Sequence, residues 1–325
     1  MIATGSLQPT RTPTAISESK PTYDVAIIGA GMAGMTAAIY SLRFKLSTVI
    51  VARESGGVIT ESALVENWPG IKSTSGIELM EKVHEQVASL GAEFVFEEVT
   101  SITGVFGSFV VSTAAGRALK ARTVIVAVGT VRRKLAVPGE KELAGRGVSY
   151  CATCDAFFFR GKTVAVIGGA ESAVGTGELL ANFAARVYLI YRRDRLRAEP
   201  LRTDRFLANP KVQVMYNTAI EAIEGKETVT GVVLDGGKKL AVDGVFVEIG
   251  FDPPRMLSNQ LNLEIDELGF IQIDRGARTN VRGVYAAGDV TTGCNKLRQL
   301  VTAAAEGALA AASIFEDLQD QRLEL

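Results

Sequence analysis

The sequence predicts an α/β fold of two Rossmann-like doubly wound domains, the second inserted into the first. Two glycine-rich turns, at residues 29–34 and 168–173, each follow an apolar strand and open a helix. Two such units so far apart in the chain do not share one small sheet, so each belongs to its own domain. A late strand ending in Gly288-Asp289 is expected to return the chain to the first domain.

The composition excludes several classes of protein. The chain has 325 residues, enough for two domains, and its 35 basic and 36 acidic residues predict no nucleic-acid partner. Three cysteines are too few for a disulfide scaffold and favour a reducing compartment, so we expect a cytoplasmic location. No apolar run reaches about 18 residues, so no membrane span is expected. Residues 1–21, rich in Ser, Thr and Pro, are interpreted as a disordered tail.

The first glycine-rich turn has the full context of a dinucleotide-binding βαβ unit. Residues 23–28 form a near-continuous apolar run that predicts a buried parallel strand. A helix is expected over residues 35–44, and a second strand over residues 48–52. The helix N-terminus would offer its backbone amides to the phosphates.

Individual residues of this unit have expected roles. Gly29 makes the tight turn, Gly31 lets the backbone approach a pyrophosphate, and Gly34 allows close packing of helix on strand. Glu54, which follows the second strand, is placed to accept a hydrogen bond from a ribose 2′-hydroxyl.

The second unit repeats the pattern with a different charge. A buried strand over residues 162–167 leads into Gly168-Gly169-Ala170 and a helix to about residue 184. The strand over residues 186–191 then ends in arginines where the first unit carries an acid. An acid suits a free ribose hydroxyl, whereas arginines suit a 2′-phosphate. The first unit is thus interpreted as a site for FAD or NAD and the second as a site for NADP; surface charge on a strand end is the alternative.

Between the two units lies Cys151-Ala-Thr-Cys154-Asp155. This spacing can close a small disulfide ring, and a nearby cation or helix end can make one thiol a good nucleophile. A zinc site would need a second pair of ligands, and the chain offers only Cys294 and His84 besides this pair. We therefore expect no metal and favour a redox role, with two simply packed cysteines as the alternative.

Further elements and boundaries complete the prediction. We expect an amphipathic helix over residues 77–91, short strands over 92–127 and over 212–249 with a turn at 235–237, and a closely packed Ala-rich helix over 300–318. Pro138-Gly139 and the segment 251–254 are interpreted as boundary turns. The domains are assigned as residues 22–133 with 251–325 for the first and 134–250 for the second.

These motifs together resemble the low-molecular-weight thioredoxin reductases, a family of flavoprotein disulfide reductases. The matching pieces are GAGMAG, VENWPG, CATCDAFFF, GGAESA, YRRDRLRAEP, AAGDV and LRQLVTAAAEGALAA, and the resemblance covers roughly residues 22–318. Two further segments, around the CxxC and at EIGFDPP, resemble archaeal-type members.

The resemblance implies an enzyme with FAD in the first domain, NADPH in the inserted domain, a homodimer and a large rotation between domains. Its substrate would be the disulfide of a thioredoxin-like protein. Cys154 would face the flavin, Cys151 would attack the partner's disulfide, and Asp155 would donate and accept the proton. The positions carried over to the flavin are Gly29, Gly31, Gly34, Glu54, Asn67, Gly288, Asp289, Arg298 and Gln299. Those carried over to NADPH are Gly168, Gly169, Ala170, Ala173, Arg192, Arg193 and Arg197.

The second unit departs from the family pattern. Ala170 stands where the family has glycine, and Tyr191 replaces a histidine. Gly175 and Thr176 replace paired glutamates, and Gly177 follows. Glycine inside a helix costs about 1 kcal/mol relative to alanine, which suggests that something bulky approaches this helix.

Three functional hypotheses follow from these departures. In the first, NADPH donates the electrons, because the arginines are retained. In the second, the second pocket holds another ligand, such as a second FAD lying flat on the glycine-bearing helix, or ferredoxin is the donor. In the third, the chain is a flavin-binding redox sensor whose disulfide never turns over, although an intact CxxCD argues against this.

Overall fold

The computed structural model describes residues 22–62, 65–294 and 297–323, with side chains described to residue 320. The tail predicted over residues 1–21 lies outside these ranges. In chain order the strands are β1 (Tyr23–Ala30), β2 (Thr48–Ser55), β3 (Glu93–Phe96), β4 (Val99–Val105), β5 (Ser108–Thr113), β6 (Ala118–Val126), β7 (Val131–Arg132), β8 (Val148–Ser149), β9 (Thr163–Ile167), β10 (Arg186–Ile190), β11 (Val212–Met215), β12 (Ile220–Gly225), β13 (Val229–Leu234), β14 (Lys239–Ala241), β15 (Gly244–Val247), β16 (Phe251–Asp252) and β17 (Val284–Ala286). The α-helices are α1 (Met32–Arg43), α2 (Gly76–Ser89), α3 (Ala152–Asp155), α4 (Glu171–Ala181), α5 (Pro200–Leu207), α6 (Met256–Gln260) and α7 (Leu300–Leu323).

The first lobe is built on a seven-stranded sheet in the order β3-β2-β1-β6-β5-β4, with β17 also paired to β6. Two different strands, β5 and β17, pair with the same edge of β6. Its beginning pairs antiparallel with β5, and its end pairs in parallel with β17, where Val284 lies opposite Val124. The returning strand therefore completes the first sheet, which confirms that one unit is inserted into the other.

From Val25 to Ala30 the strand β1 has no polar side chain, because both faces of the sheet are covered. Val25 and Ile27 pack on the side of α1 and α7, whereas Ala26 and Ile28 pack on the opposite side. The Ala-rich helix α7 lies along α1 so closely that a side chain at Gly307 would overlap the carbonyl of Ala33. This is the tight packing that the sequence predicts.

The second lobe contains a parallel five-stranded sheet in the order β11-β10-β9-β15-β8 and an antiparallel sheet of β12, β13 and β14. The predicted turn at residues 235–237 is a short 3₁₀ segment between β13 and β14. Val164 and Val166 of β9 face α4 and its neighbours, whereas Ala165 and Ile167 face the antiparallel sheet. Both faces of this sheet are thus covered as well.

The chain passes between the lobes twice, and the two passages pair with each other. β7 and β16 form an antiparallel ribbon in which Arg132 lies opposite Phe251. Pro138, which the sequence suggests as a boundary, already belongs to the second lobe, because its carbonyl accepts a hydrogen bond from the Ile223 amide at 2.9 Å. The turn residues there serve packing inside that lobe.

Candidate active site

A cleft of 1830 Å³ runs between the lobes, and both glycine-rich turns open into it. Most of the predicted site residues line it. From the first lobe these are Gly29, Gly31, Glu54, Asn67, Gly288, Asp289, Arg298 and Gln299. From the second lobe they are Gly168, Gly169, Ala170, Arg192, Arg193 and Arg197. Gly34 and Ala173 lie behind this lining, in the packing of helix against strand.

The first glycine-rich turn has the geometry of a phosphate cradle. Gly29 has a φ of +116°, and a side chain there would overlap the carbonyl of Ala127. At Gly34 a side chain would overlap the carbonyl of Gly29, so the helix meets the turn at minimal distance. Gly31 differs from these two glycines. A side-chain carbon added at Gly31 would have the carbonyl oxygen of Gly56 as its nearest neighbour, at 3.9 Å. The space beside Gly31 is therefore open for a ligand.

The start of α1 suits an anion. No side chain caps this helix, and its first turn contains no acidic residue. Its first amides therefore point toward the cleft without a side-chain acceptor, and the helix dipole adds positive potential. These features fit the pyrophosphate of a dinucleotide.

Other first-lobe residues meet across the sequence at this cleft. The Asn67 amide donates to the Gln299 side-chain oxygen at 3.0 Å. Arg298 lies over the ring of Phe270 at 3.7 Å and donates to the backbone oxygen of Asp289 at 3.3 Å. Burial raises the pKa of Asp289, and the charge of Arg298 opposes that rise. Glu54 is exposed at the end of β2, within the cleft.

The second glycine-rich turn is covered by the chain itself. Gly168 has a φ of +145°, and the ring of Tyr191 occupies the place where a side chain at Gly169 would lie. Arg197 is held to the same turn: its Nε donates to the Tyr191 hydroxyl at 2.8 Å, and its amide donates to Gly169 O at 2.7 Å. Arg192 and Arg193 are exposed and line the cleft. The arginines thus differ, with one fixed and two projecting.

The glycines of α4 have an explanation within the chain. A side chain at Gly175 would lie 2.6 Å from Nη2 of Arg202, and one at Gly177 would lie 2.6 Å from the ring of Phe206. Arg202 also pairs with Glu171 and Glu178 at 2.7 Å each. The bulky group that the sequence suggests on this helix is therefore α5, and the space envisaged for a flat second flavin is filled by protein.

The CxxC pair forms a closed disulfide at the start of α3. The Cys154 amide lies 3.2 Å from the Cys151 sulfur, and the side chain of Cys154 is exposed. Ala152 and Thr153 line the cleft, whereas the two cysteines lie outside its lining. The Thr153 hydroxyl donates to the backbone oxygen of Glu61 in the first lobe. In this arrangement the disulfide is thus at the rim of the cleft and open to solvent.

Sequence reasoning missed a charged cluster in the lining of the cleft. Arg132 pairs with Glu61 of the first lobe and, at 2.9 Å, with Glu248 of the second lobe. Thr176 of α4 donates to the other oxygen of Glu248 at 2.9 Å. Burial raises the pKa of Glu248, against the attraction of Arg132. In the sequence, Arg132, Arg133 and Lys134 form a basic cluster that is typical of a solvated turn, and no local pattern marks the two distant partners of Arg132.

The remaining candidate ligands do not assemble into a site. His84 stacks on Phe94 at 4.7 Å, and Cys294 is half-buried. Among residues 22–62, 65–294 and 297–323, no group of three or more His, Cys, Asp or Glu side chains is placed to hold a metal ion. No helix in these ranges is both long and apolar enough to cross a membrane.

The chain is similar to known proteins over most of its length. The model of the pyridine nucleotide-disulphide oxidoreductase family matches residues 23–307. A thioredoxin reductase of Bacillus subtilis is 40% identical over 315 residues, which cover 94% of this chain and 98% of the relative. The structure of Lactococcus lactis thioredoxin reductase in its FR conformation superposes with a TM-score of 0.88 at 36% identity, covering 92% of this chain and 100% of that one. A Streptococcus pyogenes thioredoxin reductase is 37% identical over 92% of this chain and 99% of its own, with a TM-score of 0.62.

Two Rossmann-like lobes and a CxxC disulfide, together with the family match, define a pyridine nucleotide-disulphide oxidoreductase. Within that class the chain belongs to the low-molecular-weight thioredoxin reductase family. The resemblance read from the motifs is confirmed. The chain is accordingly an oxidoreductase with a redox-active disulfide.

Proposed function

We propose that this chain reduces the disulfide of a thioredoxin-like protein, with FAD in the first lobe and NADPH as the electron donor. The observation that carries the proposal is the single cleft into which both glycine-rich turns open, with the Cys151–Cys154 disulfide at its rim. The proposed ranges are residues 22–133 with 251–325 for the FAD lobe and 134–250 for the NADPH lobe, and the strand composition of the two sheets supports them.

The first lobe fits FAD. The uncapped start of α1 and the open space at Gly31 would hold the pyrophosphate, and Glu54 would hold the ribose. Gly288 and Asp289, with Arg298, Gln299 and Asn67, would meet the rest of the cofactor along the cleft. Gly34 acts indirectly, by letting α1 approach the turn.

The second lobe fits NADPH with a changed turn. Arg192 and Arg193 project into the cleft where a 2′-phosphate is expected, and Arg197 is fixed beside them. Ala170 has φ −108° and ψ −170°, ordinary extended values, so its methyl group alters space and leaves the backbone unstrained. Glu171 in the first turn of α4 would repel a phosphate, but its charge is paired with Arg202.

When bound, NADPH supplies a hydride, and FAD accepts its two electrons and can pass them to a disulfide. The protein's part is to present the cysteines. Taking up two electrons and protons breaks the Cys151–Cys154 bond, with Asp155 beside Cys154 as the proposed proton donor and acceptor.

The dithiol then reduces the partner by exchange. The Cys151 thiolate attacks one sulfur of the partner's disulfide, which forms a mixed disulfide and releases the other partner sulfur as a thiolate. Cys154 attacks Cys151 in turn, so the internal disulfide re-forms and the partner leaves as a dithiol. Phe157 and Phe158, with 62% and 69% of their surface exposed, offer an apolar contact area beside these sulfurs.

A rotation of the lobes about the β7–β16 ribbon is part of the proposal, because the sulfurs lie outside the cleft here. Two relatives of similar identity and coverage superpose with TM-scores of 0.88 and 0.62, a difference that a changed lobe arrangement would produce. A homodimer and a cytoplasmic location are further parts of the proposal. The low cysteine content supports a reducing compartment.

Anaerobic mixing tests the electron donor. NADPH added to the flavin-loaded protein should bleach the flavin band near 450 nm; an unbleached band would remove NADPH as the donor. Denaturation should release one FAD per chain, and two would revive the diflavin alternative. Cys154→Ser should bleach with NADPH yet fail to reduce thioredoxin. If a Cys151→Ser variant reduced thioredoxin as fast as the parent, the catalytic role of the disulfide would be wrong.

A further inference from the structure

The charged cluster in the cleft joins three separate parts of the molecule. Glu61 ends the 3₁₀ segment Gly57–Glu61 of the first lobe, Arg132 lies on the ribbon between lobes, and Glu248 follows β15 of the second lobe. The side chain of Arg132 is 18% exposed and that of Glu248 is 3% exposed. A charge pair this buried is costly unless it is fully matched, so its geometry is restrictive.

The second-lobe end of the cluster lies at the place where open α/β sheets bind ligands. In the order β11-β10-β9-β15-β8, the strand order reverses between β9 and β15. Gly168 follows β9 and Glu248 follows β15, and a side chain at Gly168 would overlap the carbonyl of Glu248. Ligands of such sheets bind in the crevice beyond the carboxyl ends of these two strands. Glu248 is therefore beside the bound nucleotide that the second lobe would carry.

Two more contacts cross between lobes near the same cleft. The Thr153 hydroxyl donates to the backbone oxygen of Glu61, and Arg205 of α5 pairs with Glu66 at 3.0 Å. The Arg205 and Glu66 side chains are 53% and 46% exposed, so this outer pair contributes little. In the Glu61–Arg132–Glu248 cluster, by contrast, the side chain of Glu248 is buried, that of Arg132 is mostly buried and that of Glu61 is 35% exposed. The geometry of this cluster depends directly on the angle between the lobes.

We propose that Arg132 is a positioning residue that locks the lobes in the arrangement in which both nucleotide sites face one cleft. Its guanidinium holds Glu61 and Glu248 together, and a rotation about the ribbon separates these two carboxylates. The cluster therefore stabilises the arrangement suited to electron entry over the one that brings the disulfide to the flavin. This inference rests on the proposed function for its meaning, but the lock itself does not depend on the identity of the donor.

Glu61→Gln is the primary test variant. It removes the first-lobe charge and leaves the buried Arg132–Glu248 pair intact, so it should fold. Arg132→Gln removes the ion pairs with both Glu61 and Glu248, and Arg132→Lys keeps the positive charge of the side chain. Arg133→Gln is the matched control, because the neighbouring Arg133 pairs at 2.6 Å with exposed Asp252 on the ribbon and not with either lobe's glutamate.

Two readouts separate the lock from the donor. The first is the rate at which a phosphine reduces the Cys151–Cys154 disulfide of the oxidised holoenzyme, followed by thiol labelling and mass spectrometry. The disulfide is open to solvent in the locked arrangement, so Glu61→Gln should slow this reaction by roughly three- to ten-fold if the equilibrium moves away from it. The second is flavin bleaching by NADPH, which should slow by a similar factor.

Each outcome has a distinct meaning. Both rates reduced in Glu61→Gln, unchanged in Arg133→Gln and partly restored in Arg132→Lys relative to Arg132→Gln would establish the lock. Unchanged rates in a correctly folded Glu61→Gln variant would overturn it. If NADPH fails to bleach the parent protein, the proposed donor is wrong, and the phosphine readout still decides whether the lock exists.

Discussion

The two glycine-rich units share one topology but differ in what fills the space around them. Gly29-Ala30-Gly31 aligns with Gly168-Gly169-Ala170. In the first unit the third position is open and the middle one carries a methyl group. In the second unit the middle position is glycine because the Tyr191 ring lies over it, while the third carries a methyl group.

The helices that follow differ in the same sense. At Gly34 a side chain would overlap the Gly29 carbonyl, whereas the corresponding Ala173 is fully buried without such overlap. The glycines of α4, Gly175 and Gly177, lie two and four residues further along the helix than Ala173, and Arg202 and Phe206 pack against them. The comparison teaches that most glycines in these units mark places where the chain itself approaches, whereas Gly31 of the first unit leaves its space open.

The largest expected effect is a loss of stability in the first glycine-rich unit. Gly34→Ala should cost about 3 kcal/mol or more of unfolding free energy, because backbone must move to admit the methyl group. Gly31→Ala should keep the unfolding temperature of the flavin-free protein and weaken flavin binding. Thermal unfolding and flavin content measure both. Equal unfolding temperatures for the two variants would contradict this difference between the positions.

A second substitution tests the covered turn. Gly169→Ala should cost about 2 kcal/mol, because its methyl group overlaps the Tyr191 ring. A second change, Tyr191→Ala, removes that ring, so the two changes together should cost less than the sum of each alone by at least about 1 kcal/mol. Chemical denaturation of the four proteins gives this coupling. Strict additivity would show that the ring does not limit the turn.

The projecting arginines of the second unit allow a test of which nucleotide this unit prefers. Replacing Arg192 and Arg193 together by alanine should raise the KM for NADPH about tenfold, since each charge-assisted contact to a phosphate is lost. The KM for NADH, which has no 2′-phosphate, should stay nearly constant. Steady-state kinetics with both nucleotides is the measurement. An equal rise for both would place these arginines away from the 2′-phosphate.

The smallest expected effect is on the stability of the fold at acidic pH. Arg278 and the Tyr285 hydroxyl hold the pKa of Asp317 below its usual range, although burial opposes this. Such a group stabilises the fold above its ordinary pKa of about 3.9, and this contribution is lost as the pH falls through the lowered folded value. Asp317→Asn should therefore remove about 1 kcal/mol of the stability difference between pH 6 and pH 3.

For Glu248 the expected dependence of stability on pH has the opposite sign. Because burial raises its pKa, its contribution is greatest below the ordinary pKa of about 4.3 and falls as the pH rises through the folded value. On acidification the parent should gain stability relative to Glu248→Gln, measured by denaturant unfolding at each pH. If the unfolding free energy changed equally with pH in the parent and in Glu248→Gln, the raised pKa of Glu248 would be wrong.

The local elements follow from the sequence because their causes are local. The apolar runs of β1 and β9 and the glycines after them indicate two βαβ units, and the spacing of Cys151 and Cys154 permits a ring. Even so, α1 begins at Met32, inside the glycine-rich turn, three residues before the predicted start. The helix takes its first turn from the fingerprint itself, which periodicity alone does not mark.

The sequence by itself determined the family, the two units, the insertion and the redox pair, because each is written in short stretches with defined backbone or chemical requirements. Only the tertiary structure decided which groups fill the space over each glycine and where the disulfide lies relative to the cleft. It also joined Arg132 to glutamates 71 and 116 positions away. Such contacts depend on how the lobes are packed and oriented, and no local pattern encodes that angle.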